Sequence, residues 1–261
     1  HGFSVKMSAA AAKTLAKNRD VASVSQDMVV AATATQVSPS WNLDRSDQPG
    51  LPLSGTYDYG NDASNVSIYM MDTGIRATHS EFGGRVKNGP PQTDNNDCAG
   101  HGTATAGAAA GSTWGLAKAS TIYAVRVLGC DGAGPATNAI DAIDWITKTA
   151  VRPAVVNASW GTGADDTLDT AFRNSIATGI NYVIAAGNSD DDACGGSPAR
   201  IKEAIVVGAS DSNDNRAGFS SYGSCLDLFA PGTDVKTSAW DSDTATTSAS
   251  GTSLAAPIVA G

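Results

Sequence analysis

Short apolar, strand-like runs recur at residues 66–71, 121–127, 154–159, 182–186 and 204–209, and helical stretches separate them, most clearly at 137–149 and 166–178. Buried strands alternating with helices restrict the chain to one class of fold, an open, mostly parallel α/β sheet flanked by helices. In such a sheet the functional groups collect beyond the carboxyl ends of the strands. The 261 residues suffice for one large domain with a proper core, and a hydrophobic content of 41% fits it.

Three polar stretches fall where that architecture puts chemistry. The first run ends in Asp72-Thr73-Gly74, a carboxylate at a strand tip. Gly100-His101-Gly102-Thr103 opens an Ala- and Gly-rich helix. Near the end of the chain, Ser250-Gly251-Thr252-Ser253 leads into small, helix-compatible residues up to Pro257. A serine on the first turn of a helix lies where free N–H groups and the helix dipole favour developing negative charge. Serine is a weak nucleophile until a histidine takes its proton, and the histidine needs a carboxylate to fix its tautomer and stabilise the imidazolium. Asn188 ends the run Val183-Ile184-Ala185-Ala186-Gly187, at another strand tip. Its side-chain N–H, together with the Ser253 backbone N–H, suits an oxyanion hole.

Asp72-Thr73-Gly74, His101-Gly102-Thr103, Ala185-Ala186-Gly187-Asn188 and Gly251-Thr252-Ser253, in that order, resemble the signature set of the subtilisin-like serine proteases. Closer matches point to the proteinase K and aqualysin branch, and the resemblance runs from about Ala34 to the last residue. It implies a secreted, monomeric serine endopeptidase acting through an acyl-enzyme, with Asp72, His101 and Ser253 as triad and Asn188 as oxyanion donor. Gly132-Ala133-Gly134 and Ser159-Trp160-Gly161 correspond to the segments that clasp an extended peptide. Ala185, Ala186 and Gly187 would line the primary pocket, whose small walls suit aromatic or aliphatic side chains. Departures from the pattern are Trp160 for leucine, Ala104 after His101-Gly102-Thr103, Leu254 for methionine and Ile258 for histidine. None removes a group that handles protons or charge.

The first 33 residues differ in character. They read as a strand (2–5), a helix (8–18, capped by Ser8) and a second strand (21–30), too small a unit to bury a core alone. They resemble the second half of an inhibitory propeptide, with residues 34–261 as catalytic domain. The resemblance implies that Val30-Ala31-Ala32-Thr33 occupy the cleft and that maturation cuts between Thr33 and Ala34. With no initiator Met and a last stretch, Ile258-Val259-Ala260-Gly261, that stops in mid-helix, the chain reads as a fragment at both ends.

A net charge of −9 argues against nucleic-acid binding, and no apolar run reaches membrane length. Nearly all the acid is aspartate, which suits calcium. The resemblance implies one structural calcium site at Asp44, Asp47, Gln48, Ser54 and Thr56. It implies a second at Asp227 with the Lys202 and Ala204 carbonyls, and no catalytic metal or organic cofactor. Cys98, Cys130, Cys194 and Cys225 allow two disulfides in three connectivities, and without a Cys-x-x-Cys pair zinc is disfavoured. The resemblance implies Cys98–Cys130 and Cys194–Cys225, hence an oxidising compartment. His79 reads as structural, His1 as solvent-exposed, Asp190-Asp191-Asp192 as a solvated loop, and the acceptor-like Asn157-Ala158-Ser159 as a buried coincidence.

Two rival readings compete with the enzyme. A subtilase-fold binding protein that is inactive is opposed by the complete set of reactive residues, whereas the retained propeptide residues keep a propeptide-blocked form open. A nucleotide-binding domain fails because Gly100-x-Gly102 lacks the third glycine and the preceding strand.

Overall fold

A computed structural model describes residues 4–26, 34–91 and 94–261. The chain divides into two compact units, His1–Thr33 and Ala34–Gly261. The first contains helix α1 (Ala9–Leu15), whose N-terminus is capped by Ser8 accepting from the Ala11 N–H at 3.2 Å. The strands expected on either side are not formed among the described residues, since 4–7 and 21–26 lie in no strand. Alternating apolar residues form a strand only beside a partner ladder, and this helix buries none of its own residues. His1, Gly2, Phe3 and residues 27–33, with the cleft-binding tetrapeptide, lie outside the described residues.

The second unit opens with an antiparallel pair, β1 (Ala34–Val37) and β2 (Thr56–Tyr59), with helix α2 (Trp41–Ser46) between them. There follow β3 (Ser67–Asp72), β4 (Val86–Asn88), α3 (His101–Ala110), β5 (Thr121–Arg126), α4 (Ala136–Thr149) and β6 (Ala154–Ala158). The chain continues through β7 (Thr162–Gly163), α5 (Asp166–Ile176), β8 (Asn181–Ala185), β9 (Gly196–Ser197), β10 (Ile205–Ser210) and β11 (Leu228–Pro231). The antiparallel pair β12 (Val235–Ser238) and β13 (Thr246–Ala249) leads into α6 (Thr252–Ala260).

Seven of these strands form one sheet in the order β11-β10-β8-β6-β3-β5-β4, every pair parallel. All five strands read from the sequence are in it. Its edges were not legible: β4 is a three-residue Val-Lys-Asn strand, and β11 ends in a proline. Chain order reverses around β3, which places a crevice at the carboxyl ends of the central strands.

The central strands are covered on both faces. In β3, Tyr69 and Met71 pack with Ile143, Ile146, Leu168 and Phe172 of α4 and α5. Ile68 and Met70 face the alanines of α3. In β8 the same alternation sends Tyr182 and Ile184 to the α4/α5 side and Val183 and Ala185 to α6. Each large side chain buried in this way contributes about 1.5–3 kcal/mol. Leu254 and Ile258, two departures from the family pattern, are buried in the α6 core. Cys98–Cys130 and Cys194–Cys225 are both disulfide-bonded, the pairing that the resemblance implied.

Candidate active site

The site begins at the tip of β3. Asp72 is fully buried, yet its carboxylate is well supplied with donors. Oδ1 accepts from the Thr73 N–H at 2.7 Å and lies 2.7 Å from His101 Nδ1, and Oδ2 accepts from the Thr105 hydroxyl at 3.1 Å. His101 is the first residue of α3 and keeps a partly exposed ring. Two glycines permit this approach of strand and helix. A Cβ on Gly102 would stand 2.1 Å from the Gly74 carbonyl oxygen. A Cβ on Gly74, at φ +103°, would stand 2.5 Å from the Asn96 carbonyl oxygen. Only glycine allows backbone to approach backbone so closely.

Asp97, which the sequence reading passed over, ties the same elements together from behind. Its Oδ1 accepts from the Thr73 hydroxyl (2.9 Å) and from the N–H groups of Ala99 (3.0 Å) and Gly100 (2.8 Å). Its Oδ2 accepts from the Thr103 N–H (2.8 Å) and hydroxyl (2.6 Å). Thr73 in turn accepts from the Gly102 N–H at 2.9 Å. The first turn of α3 is thus held to the end of β3 by a side chain that belongs to neither. The only signal in the sequence was an aspartate four residues before the histidine, which serves equally well as an ordinary turn residue.

The charge of Asp72, opposed by burial and aided by their hydrogen bond and by Asp97, raises the His101 pKa above its ordinary value of 6.5. Burial pushes Asp97 up, but the Thr103 hydroxyl and the N–H groups of Gly100, Ala99 and Thr103 outweigh it and hold the carboxyl below the usual range. Asp97 therefore acts on His101 as a fixed negative charge near neutral pH.

Ser253 is the second residue of α6. Its hydroxyl donates to the Ser159 carbonyl at 3.1 Å, so it is turned toward the end of β6. Asn188 is oriented by Thr252, whose N–H (2.8 Å) and hydroxyl (2.9 Å) both donate to its Oδ1. That leaves the Asn188 amide N–H pair free to face the cleft. A Cβ on Gly251 would lie 3.5 Å from Asn188 Nδ2 and 3.6 Å from the Ser253 nitrogen, so both nitrogens lie close to Gly251.

A cavity of about 490 Å³ opens at Ser253 and Asn188, and Ala185, Ala186 and Gly187 line it. Asp191 and Asp192 line it too, with Asp191 accepting from the Ser221 hydroxyl at 2.6 Å, whereas Asp190 pairs with Arg216. The loop read as merely solvated is exposed, but it also forms a cavity wall. A second cavity of about 290 Å³ is bounded by Gly132, Ala133, Gly134, Trp160 and Gly161. Trp160 borders both cavities, donates from its indole N–H to the Met71 carbonyl at 2.8 Å and packs against Phe172. His79 is buried and caps a short helical turn by accepting from the Glu81 N–H.

Of the first calcium set, Asp44, Gln48, Ser54 and Thr56 come together. The Ser54 N–H donates to Asp44 Oδ1 (2.9 Å) and Gln48 Oε1 (3.0 Å), and the Ser54 hydroxyl is 3.0 Å from that of Thr56. Asp47 accepts from the Asp58 N–H. Asp44 is buried, and no basic partner is bonded to it among the described residues. This oxygen-only set fits a hard cation. In the second set Asp227 accepts from the Val206 N–H at 2.8 Å, two residues beyond Ala204. No group of three or more His, Cys, Asp or Glu able to hold a metal occurs among the described residues.

The comparisons with known proteins agree with this fold. The subtilase family model matches residues 63–261, so the chain belongs to the subtilase family. It is 50% identical over 246 residues to an extracellular serine proteinase of Thermus sp. (strain Rt41A), covering 92% of this chain and 60% of that protein. It is 43% identical over 242 residues to alkaline serine exoprotease A of Vibrio alginolyticus, covering 91% of this chain and 45% of the relative. The crystal structure of a cold-adapted subtilisin-like serine proteinase superposes with a TM-score of 0.83 at 43% identity, over 86% of this chain and 83% of that one. The chain thus spans about half of the length of these two curated relatives.

The charges around His101 lead to a pH prediction. With His101 acting as the base of a serine nucleophile, activation needs neutral imidazole, and its raised pKa is expected to set the acid limb of kcat/KM above 6.5. Replacing Asp97→Asn removes one negative charge and is expected to move that limb to lower pH. An unmoved limb in a folded variant would contradict the electrostatic role of Asp97.

Proposed function

We propose that the chain is the peptidase portion of a secreted serine endopeptidase. The reading is carried by the buried Asp72–His101 pair at the tip of β3, together with Ser253 and Asn188 lining one cavity. In this mechanism Ser253 Oγ swings from the Ser159 carbonyl toward His101 Nε2 and gives it a proton as it attacks the peptide carbonyl carbon. Asp72 holds the Nδ1–H and stabilises the imidazolium, while the Asn188 Nδ2–H and Ser253 N–H receive the oxyanion. Collapse expels the amine, protonated by His101, and leaves the acyl-enzyme. A water molecule, giving its proton to His101, then releases the acid and restores the serine.

The substrate is an extended peptide lying between Gly132-Ala133-Gly134 and Ser159-Trp160-Gly161. The small walls Ala185, Ala186 and Gly187 admit aliphatic or aromatic side chains, and Asp191 disfavours acidic ones. Residues 1–33 act as an intramolecular inhibitor removed between Thr33 and Ala34. Secretion accords with two disulfides and with the named location of the Thermus relative. The protein acts as a monomer, with neither nucleic acid nor membrane as partner.

Hydrolysis of a peptide with phenylalanine or leucine before the scissile bond tests the reading. Turnover should disappear with Ser253→Ala and rise when residues 1–33 are removed. Asn188→Ala should lower kcat by about 10²–10³-fold, a cost for which subtilisin is itself the reference case. Turnover that persists in Ser253→Ala would refute the assignment.

Calcium is proposed as a structural ion held by Asp44, Asp47, Gln48, Ser54 and Thr56, with a second at Asp227 and the Lys202 and Ala204 carbonyls. Bound calcium would draw the β1–β2 segment together and supply no chemistry to the reaction. A chelator should lower Tm by about 5 °C or more, and Asp44→Asn should abolish most of that dependence. An unchanged Tm on chelation would dismiss both sites.

A further inference from the structure

Pro257 lies inside α6, four residues after Ser253. In an unbroken helix the N–H at position 257 would donate to the Ser253 carbonyl, but proline has no N–H to give. The carbonyl of the proposed nucleophile is therefore released from the helix ladder within a segment that is otherwise buried. A buried carbonyl left without a donor costs about 1–3 kcal/mol.

The missing donor is supplied from β6. The Ser159 hydroxyl donates to the Ser253 carbonyl at 2.9 Å. The Ser253 hydroxyl returns a bond to the Ser159 carbonyl at 3.1 Å, so the two serines clasp each other through one side chain and one carbonyl apiece. Ser159 Oγ is itself fixed by Asn157, fully buried in β6, whose Nδ2 donates to it at 2.9 Å. Because Ser159 Oγ accepts from Asn157, its single proton is left to point at Ser253. The Asn157-Ala158-Ser159 triplet thus forms a buried hydrogen-bond chain, with Asn157 and Ser159 on the same side of the strand.

We infer that Ser159, oriented by Asn157, is a positioning residue that replaces the helix hydrogen bond Pro257 cannot make and so sets the placement of Ser253 against the cleft. The inference rests on Ser253 being the nucleophile. It extends that reading because it assigns the side chain of Ser159 a task separate from the backbone contact expected of it with peptide.

A double-mutant cycle tests it. Ser159→Ala leaves the Ser253 carbonyl without a donor and should lower kcat about tenfold, with KM changed less than about twofold. Ser159→Thr keeps a hydroxyl and should restore most of kcat. Pro257→Ala returns an N–H to the helix, so Ser159→Ala added to it should cost less than about twofold. Tm measured on the same four proteins separates positioning from stability, since a purely structural bond would move Tm and leave kcat near the parent value. Equal kcat losses from Ser159→Ala with and without Pro257 would overturn the inference and leave the peptidase reading intact. Absence of turnover in the folded parent would remove that reading and this inference together.

Discussion

A carboxylate with no exposure to water, at the end of a strand buried on both faces, is the constraint around which the site is arranged. Asp72 would be costly there without donors, and its neighbours supply three: a backbone N–H from Thr73, a hydroxyl from Thr105 and the imidazole of His101. Two of the three come from α3, so the helix must dock with its first turn against the strand tip. Gly102 has no side chain to prevent that docking, Gly74 lets the loop before the helix pass the strand tip, and Asp97 locks it from behind. The parallel sheet fixes the strand end, the close approach fixes the helix, and together they fix the His101 ring against Asp72.

The opposite half of the site follows a different logic. Helix α6 is apolar almost all round and is held by the core rather than by a polar network. Its first turn carries the polar groups: Thr252 orients Asn188 through two bonds, and Ser253 is tied to the end of β6. Small residues keep the cleft open between these elements. The carboxyl ends of β3, β6 and β8 meet there because chain order reverses around β3.

Much of this could be read from the residues. Strands buried on both faces are continuous apolar runs, so the five central strands were visible, whereas three-residue β4 and proline-ended β11 draw their stability from a neighbour's ladder. The Asp72, His101, Asn188 and Ser253 motifs are local and marked by adjacent glycines. Asp97, Thr105 and the Ser159–Ser253 clasp were not visible, since each depends on a partner far away in sequence and involves residue types common in any loop or strand. The strands expected in the first 33 residues failed for the converse reason, because their alternation met no partner among the described residues. Trp160 was read as lining the peptide cleft, and it both borders the two cavities and packs against the core.

Covalent capture of the nucleophile is the most direct test of the central claim, that Asp72 and His101 activate Ser253. A fluorophosphonate should modify the chain lacking residues 1–33 at one serine, which peptide mass mapping would place at Ser253. Labelling should fall by at least about 10³-fold in a folded His101→Ala variant. Modification of another serine, or undiminished labelling of Ser253 without His101, would contradict the account.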